Sequence, residues 1–208
     1  PHFFRSAEPN EFESEQTGEV QNGIKAAGET RPEPTGPRHF TVVENHTGIS
    51  YMKLFGDYLR GARHIEVVDP YVRKMFQIHN FVEFLQVVLA IKEEGEDVEV
   101  HLVTSNGDIS LVELEQHLEE LQDRLLNADI NFSYEIDSGR TMHARSITTD
   151  TGWKISLDRG LDIFQRFDGG LLSIQASSQE TRFCKAFEVT YIKVDESNGE
   201  KGKKLSNK

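Results

Sequence analysis

The sequence predicts an α/β fold in which a mixed β-sheet is flanked by helices. Segments with helical and strand periodicity alternate in the first part of the chain, and strand-like segments follow one another in the last part. Of the 208 residues, 37% are hydrophobic, which is enough for one sizeable core. Strands joined through helices pair in parallel, whereas consecutive strands pair antiparallel, so the sheet should be mixed.

The alternating elements begin near residue 49. Apolar residues at helical spacing predict a helix over 49–59. A short β-branched strand is predicted over 63–68, and it stops at Asp69-Pro70. The segment 75–94 has the length of a helix and is apolar on most sides, which predicts that it is buried.

Two further strands, over 98–103 and 130–136, enclose a leucine-rich helix. Ser110 and Glu113 match the capping box that begins many helices. Leucines at 3-4-3-4 spacing along 111–125 could form a coiled-coil seam or pack in the core. Core packing is favoured, because the stripe covers about two heptads and coiled coils usually extend over at least ~3–4.

After Ser138-Gly139 the pattern changes to consecutive strands. A tight turn is predicted over 149–152, between the first two of them. The strands are predicted over 141–148, 153–157, 171–176 and 183–194.

The two ends of the chain differ in composition from its middle. Residues 1–38 are poor in large aliphatic residues and predict a disordered linker or tail of an upstream region. Residues 196–208 predict a basic flexible tail, which leaves one domain over 39–195. The first residue is not Met and no signal-peptide pattern follows it, so we expect a segment of a longer protein.

Charge and cysteine content narrow the function classes. The formal net charge of −12 argues against a dedicated nucleic-acid binder, although it leaves room for a local basic patch. A single cysteine, Cys184, cannot form an internal disulfide, which fits a reducing cytoplasmic compartment. The longest apolar stretch, 81–91, is shorter than the ~20 residues that span a bilayer. Cytoplasmic localisation is therefore expected, with peripheral membrane contact left open.

No metal or cofactor is expected from the sequence. The histidines are dispersed, and neither H-x-x-x-H nor C-x-x-C spacing occurs. No glycine-rich nucleotide loop follows a predicted strand, since Thr104–Gly107 is too short to hold a phosphate in the Walker manner.

One motif carries most of the chemical information. His143, Arg145 and Asp150 stand in the order H-x-R-x4-D, close to the H-x-K-x4-D signature of phospholipase D-type phosphodiesterases. On a strand, His143 and Arg145 would point to the same face and could address one phosphate. In a catalytic site His143 would attack phosphorus, Arg145 would hold the non-bridging oxygens, and Asp150 would orient the imidazole ring or balance its charge.

The same motif also fits a site without catalysis. A phosphodiesterase of this type needs a second histidine as general acid, and this chain has one copy of the motif. The other copy could come only from a symmetric partner in a homodimer. Arg145 replaces the usual lysine, and Asp150 lies in a predicted turn, where Asp is common. A structural role or non-catalytic binding is therefore favoured over catalysis.

Further candidate ligand-binding residues follow the first predicted strand. Loops at the carboxyl ends of strands hold the ligands of many open α/β sheets. Arg73 is a candidate anion contact there, Tyr71 a stacking group, and Gln77 and Asn80 polar neighbours at helical i, i+3 spacing. Arg159 could also meet an anionic group. The alternative for these residues is an ordinary role in turns, helix packing or solvent.

Six strings occur together in an order and spacing that resemble one family. Through these strings, residues 40–194 resemble the phospholipase D-like domain found at the C-terminus of MIT-domain proteins. The resemblance implies a phospholipase D-like fold for which catalysis is not demonstrated. It also implies dimer formation and binding to acidic membrane lipids. The strings are Asp69-Pro70-Tyr71-Val72-Arg73, Gln77 with Asn80-Phe81 and Phe84, His101-Leu102-Val103-Thr104, His143-x-Arg145, Gly152-Trp153-x-Ile155, and Arg159-Gly160-Leu161-Asp162-Ile163-Phe164.

The resemblance also bears on partners. In that family a separate MIT helical module binds ESCRT-III tails, and residues 1–38 cannot form its three-helix bundle, so ESCRT-III is not an expected partner. Similar domains lie at the C-termini of bacterial proteins, which include Lon-like ATPases and proteases of phage-defence systems. Upstream domains of the same polypeptide are therefore expected partners.

The favoured function is a non-catalytic binding and self-association module that forms a homodimer. Its ligand would be anionic, either a phospholipid headgroup or a nucleic-acid phosphate, and Trp153 would lie beside the basic residues. One alternative is a phosphodiesterase or nuclease whose site is completed by homodimerisation. The other is a purely structural appendage.

Overall fold

The computed structural model describes residues 36–126, 128–137, 143–166 and 178–194. Within these ranges the chain forms one seven-stranded sheet, three α-helices and a short 3-10 helix at Gln179–Thr181. The helices are α1 (Tyr51–Leu59), α2 (Met75–Ile91) and α3 (Leu111–Leu125). The strands are β1 (Arg38–Val42), β2 (His64–Val68), β3 (Val98–Thr104), β4 (Ile130–Ile136), β5 (Ser146–Thr149), β6 (Trp153–Leu157) and β7 (Phe187–Lys193).

The sheet has the order β1-β7-β6-β5-β2-β3-β4. Strands β2, β3 and β4 are parallel and are connected through α2 and α3, whereas the remaining pairs are antiparallel. This arrangement confirms the predicted mixed sheet. The parallel pairing follows from the long helical crossovers, and the antiparallel pairing of β5 with β6 follows from the tight turn that joins them.

One continuous core lies between the helices and the sheet. In β3 the apolar residues Val98, Val100 and Leu102 are buried and alternate with less buried ones. Helix α3 buries four of its leucines, as core packing of the stripe predicts. Ser110 is the N-cap residue of α3, but its side chain makes no capping hydrogen bond, so the predicted capping box is not formed.

Strand β1 was not predicted. It pairs antiparallel with β7, and Nδ1 of His39 lies 2.8 Å from the Thr190 hydroxyl. The long predicted strand over 183–194 is shortened to β7. Its first residues diverge because Cys184 exchanges backbone hydrogen bonds with Asn45 and His46, and pairs with Phe164 in an isolated bridge.

Other sequence predictions differ at their boundaries or fall outside the described residues. Helix α2 ends at Ile91, where residues up to 94 were predicted. The strand predicted over 141–148 begins only at Ser146, and 143–145 lie outside any strand. The predicted strand over 171–176 and the predicted tail 196–208 lie outside the described residues, as does the predicted linker up to residue 35.

The topology brings four chain segments to one end of the sheet. We call this the carboxyl end, because β2 and β3 finish there. Ser146 of β5 pairs with Val68, so the start of β5 lies at the carboxyl end. Leu157 closes β6 at the same end, since its N–H donates to the carbonyl of Arg145. Among the described residues, none of the helices combines the length and apolarity required to cross a bilayer.

Candidate anion-binding site

Tyr71 occupies the centre of the carboxyl end of the sheet. Two guanidinium groups lie over its ring, with Cζ of Arg145 4.3 Å and Cζ of Arg73 5.3 Å from the ring centroid. The Nε atom of each arginine is buried and has no hydrogen-bond partner among the residues that the structure describes. A buried hydrogen-bond donor that lacks an acceptor costs about 1–3 kcal/mol of folding free energy. The site therefore offers N–H donors that a ligand could satisfy.

Arg73 is held mainly by the loop that follows β3. Its guanidinium lies 3.3 Å from a carboxylate oxygen of Asp108, which also contacts Nζ of Lys74 at 3.2 Å. The hydrogen bond from Lys74 lowers the pKa of Asp108 below its ordinary value. Gly107 makes this packing feasible, because a Cβ atom at that position would overlap the Arg73 guanidinium. The charge of Arg73 is thus already shared with a carboxylate.

Arg145 differs from Arg73 because its guanidinium forms no salt bridge with any described residue. It is half-buried, and within the described part of the chain it has no salt bridge and no side-chain hydrogen bond. Its backbone carbonyl accepts from Leu157, which anchors the residue to the end of β6. Stacking on Tyr71 then fixes where the charge lies. Arg145 is the half-buried cation that a ligand could pair with.

Two cavities adjoin Tyr71. The first has a volume of about 390 Å³, and Arg73 and His143 lie in its wall. The second has a volume of about 380 Å³, and Arg145 lies in its wall. His143 and Arg145 therefore line neighbouring cavities and do not project from one face of a strand. The predicted strand geometry is wrong here, because the chain enters β5 only at Ser146. The second cavity is lined by Tyr71, Gln77, Arg145, Asp158, Arg159 and Asp162.

Asp69 lies beneath the site as a buried carboxylate that is 3% exposed. Its oxygens accept hydrogen bonds from the backbone N–H groups of Leu161, at 3.1 Å, and Tyr71, at 3.0 Å. Burial raises the pKa of Asp69 to about 6 despite these hydrogen bonds and the nearby charge of Arg145, which act in the opposite direction. The carboxylate of Asp162 adds to the increase in pKa.

The remaining predicted ligand residues near Tyr71 have different positions. Gln77 is buried at the start of α2, where its side-chain oxygen accepts from the N–H of Lys74 at 3.1 Å. Arg159 is exposed and donates from Nε to the carbonyl of Ala186 at 2.5 Å. Asn80 is half-buried on α2 and is not among the residues that line either cavity.

The structure does not bring Asp150 and Trp153 to the carboxyl end. Asp150 lies beyond the other end of β5, roughly 13 Å away for four residues at ~3.4 Å each. Its carboxylate accepts from the N–H of Arg63 at 3.1 Å and contacts His64 at 3.3 Å. Trp153 is buried against Tyr58, with ring centroids 4.9 Å apart. Both residues therefore have structural surroundings at the opposite end of the sheet.

Three residues of the site escaped the sequence analysis in their present roles: Asp69, Gly107 and Gly160. The strings that contain Asp69 and Gly160 were both noticed, but no local pattern shows that Asp69 accepts a hydrogen bond from Leu161, 92 positions later. Gly160 has φ +60°, and an added Cβ would overlap the Asp69 carboxylate. Among the described residues, no group of three or more His, Cys, Asp or Glu side chains could hold a metal ion.

Comparison with known proteins identifies the family. The sequence model of the phospholipase D-like domain at the C-terminus of MIT matches residues 48–193. The chain belongs to this family. It is 31% identical to mouse MIT domain-containing protein 1 over 134 residues, which are 64% of this chain and 52% of the mouse protein. The chain thus spans about half the length of this curated relative.

A solved structure is also similar to this phospholipase D-like domain. It is the crystal structure of phosphatidylserine synthase from Haemophilus influenzae Rd KW20, with a TM-score of 0.40 and 8% sequence identity, covering 76% of this chain and 34% of that one. Within the family match, the phospholipase D-like domain contains the whole site around Tyr71, whereas β1 precedes the matched residues.

Proposed function

We propose that this phospholipase D-like domain is a non-catalytic binding module that recognises a phosphate-bearing anionic group at the carboxyl end of its sheet. The observation that carries the proposal is the guanidinium of Arg145, which is half-buried on the ring of Tyr71 without an acceptor among the described residues. A guanidinium offers several N–H donors in one plane, the geometry that suits phosphate oxygens.

The cavity beside Arg145 supports a small anionic ligand. Arg159 and Gln77 contribute further donors to its wall. The two carboxylates of the wall are already engaged, because Asp162 pairs with Lys185 at 2.7 Å and Asp158 accepts from the N–H of Glu188 at 3.0 Å. Their charges are therefore partly compensated within the protein, and an incoming anion meets the guanidinium of Arg145, whose charge also acts on the buried carboxylate of Asp69.

Binding to vesicles tests the proposal. Wild-type protein should sediment with phosphatidylcholine vesicles that contain phosphatidylglycerol and remain in solution with pure phosphatidylcholine. Arg145→Gln should weaken binding about tenfold or more, since a hydrogen bond to a charged group contributes about 1.5–3 kcal/mol. The matched control is Arg124→Gln, because Arg124 is an exposed arginine on α3 that pairs with Glu120. Equal binding by Arg145→Gln and wild type would contradict the proposal.

A short single-stranded oligonucleotide gives the second arm of the same test. A phospholipid headgroup and a nucleic acid share the phosphodiester, so the comparison identifies which source the site prefers. The net charge of −12 favours the headgroup, because nucleic-acid affinity depends on the neutralisation of many phosphates.

The phosphodiesterase alternative makes a different prediction. If a homodimer completes the site, wild-type protein should hydrolyse a generic phosphodiester and His143→Ala should abolish the activity. His143 is exposed in the wall of the first cavity, but Asp150 lies at the other end of β5. The absence of turnover in wild-type protein would remove this alternative and leave binding.

The proposal extends to the context of the domain. We include self-association as a homodimer, attachment to a larger polypeptide such as a Lon-like ATPase or protease of a phage-defence system, and a cytoplasmic location with peripheral membrane contact. The family resemblance supports self-association, and the greater length of the mouse relative supports a modular arrangement. Sedimentation equilibrium tests the homodimer: a monomer at all concentrations would contradict it.

A further inference from the structure

The carboxyl group of Asp69 connects the loops that build the anion site. One oxygen accepts from Tyr71, whose ring supports both arginines, and the other accepts from Leu161, which follows Arg159 and Gly160. Gly160 packs so closely on Asp69 that no side chain fits between them, and the Cδ atom of Arg145 would lie 3.1 Å from a Cβ added at Gly160. The Asp69 carboxyl group and the Arg145 side chain therefore both lie close to Gly160, and the charge of Arg145 acts on Asp69.

We infer that Asp69 is a proton-linked positioning residue of this site, which binds its phosphate-bearing ligand more tightly when the Asp69 carboxyl group is neutral than when it is charged. The inference rests on the proposed function. A neutral carboxyl group can still accept hydrogen bonds from the two loops, so the geometry of the site is kept. Protonation removes the negative charge of Asp69, which otherwise competes with the ligand for the Arg145 guanidinium.

Linkage gives the direction of the effect. The pKa of Asp69 is raised to about 6 by burial, so the carboxyl group changes charge as the pH falls from neutral towards 5. Anion binding at Arg145 withdraws the nearest positive charge from Asp69 and should raise the pKa of Asp69 further. By reciprocity, protonation of Asp69 strengthens anion binding, and this gain is lost as the pH rises through 6.

Within the described part of the chain, few charged or titratable groups face Asp69. Arg145, ahead of β5, lowers the pKa of Asp69, and Asp162, in the loop after Gly160, raises it. Tyr51, at the start of α1, donates its hydroxyl to the carbonyl of Leu161, and burial raises its own pKa well above the ordinary value. Tyr51 therefore remains neutral near pH 6. His143 lies in the wall of the first cavity, and a substitution there serves as a control.

The experiment measures vesicle binding at pH 5 and pH 7.5. Phosphatidylglycerol is the probe, because its phosphodiester keeps one negative charge across this range. Wild-type protein should bind about fivefold to tenfold more tightly at pH 5, within the usual range of coupling between two sites. Asp69→Asn is neutral at both pH values, but its amide nitrogen cannot accept a hydrogen bond, so the variant keeps only one of the two backbone hydrogen bonds and its pH dependence, not its absolute affinity, is compared with wild type. Between pH 7.5 and pH 5 its affinity should rise about fivefold to tenfold less than that of wild type, because the general loss of negative charge in this acidic protein affects both proteins alike.

Two variants separate this effect from general changes in charge. Asp150→Asn removes the same charge at the opposite end of the sheet and should keep the wild-type pH dependence. His143→Gln should keep it as well. Loss of the pH dependence in His143→Gln together with its persistence in Asp69→Asn would overturn the inference. Absence of binding by wild type at both pH values would instead overturn the proposed function itself.

A spectroscopic measurement keeps the inference testable if Asp69→Asn does not fold. The carboxyl carbon of Asp69 can be titrated by NMR in wild-type protein with sodium sulfate, and with sodium chloride at equal ionic strength. Sulfate should shift the titration midpoint of Asp69 to higher pH. An unchanged midpoint, with sulfate-dependent shifts of the Arg145 Nε–H signal, would contradict the coupling.

Discussion

At the scale of single residues, the carboxyl end of the sheet depends on contacts that leave no space for a side chain. Gly160 is one such position: it adopts φ +60° and packs against the Asp69 carboxylate. Gly61 adopts a similar φ of +73°, but no atom lies within 4 Å of an added Cβ there. Substitutions at the two glycines therefore separate the free-energy cost of a left-handed backbone from the cost of steric overlap.

We predict that Gly160→Ala destabilises the protein more than Gly61→Ala. Alanine at positive φ should cost about 1 kcal/mol at Gly61, where the cost comes from the backbone alone. At Gly160 the methyl group must also displace Asp69, and we expect a total of about 2–4 kcal/mol. Urea unfolding of both variants measures the difference. Equal losses would mean that the loop yields without disturbing Asp69.

The H-x-R-x4-D motif illustrates what the sequence can and cannot predict at this scale. The motif drew attention to Arg145 and His143, which both adjoin Tyr71. Their arrangement depends on where β5 begins, and alternation in the sequence did not define that residue. Asp150 carries a turn signal and lies in a turn, where it contacts His64. Its separation from Arg145 is a consequence of the strand between them.

At the scale of elements, an ion pair between buried Glu83 and half-buried Arg182 connects α2 to the end of the 3-10 helix. Glu83 of α2 receives two hydrogen bonds from the guanidinium of Arg182, at 2.7 and 2.9 Å, and a third from Gln179 at 2.9 Å. The oxygen of the Gln179 amide accepts from the N–H of Tyr51 at 2.8 Å, which satisfies one free donor at the start of α1. Three elements thus meet through one carboxylate.

We predict that Glu83→Gln destabilises the protein by about 2–4 kcal/mol, because it removes the negative charge to which the half-buried guanidinium of Arg182 donates two hydrogen bonds. Glu120→Gln is the control, since Glu120 pairs with Arg124 on the exposed surface of α3. This substitution should lower the free energy of unfolding by less than about 0.5 kcal/mol. Thermal and urea unfolding measure both effects. A loss below 1 kcal/mol in Glu83→Gln would show that the pair does not join the elements.

Elements with a strong local period were predicted well, and the others were not. The order from β2 to β4 follows from alternating periods, and the boundaries of β4 and β6 match those predicted. Strand β1 has a mixed composition, and its partner β7 lies about 150 residues later in the chain. Such a strand is defined by the edge that it covers, and that edge exists only after the sheet has formed.

At the scale of the whole molecule, a cationic site is embedded in an acidic protein. The net charge of −12 gives a repulsive field for any anionic surface at long range, whereas Arg145 attracts an anion at contact. Helix α3 contributes to this field through its carboxylates. They are Glu113, Glu115, Glu119, Glu120 and Asp123. The two ranges of interaction respond differently to salt, because contacts within a few ångströms are screened less than charges farther apart.

We predict that salt accelerates binding to anionic vesicles. Between about 10 and 100 mM salt the Debye length shortens from ~30 to ~10 Å, which removes most of the long-range repulsion and retains the contact at Arg145. The association rate constant should therefore rise severalfold over this interval, opposite to the behaviour of a basic protein. Stopped-flow measurement with phosphatidylglycerol vesicles gives the rate. Arg145→Gln should show the same rise in association rate but a faster dissociation. An association rate that falls steadily with salt would mean that a local basic surface, and not the net charge, governs the encounter.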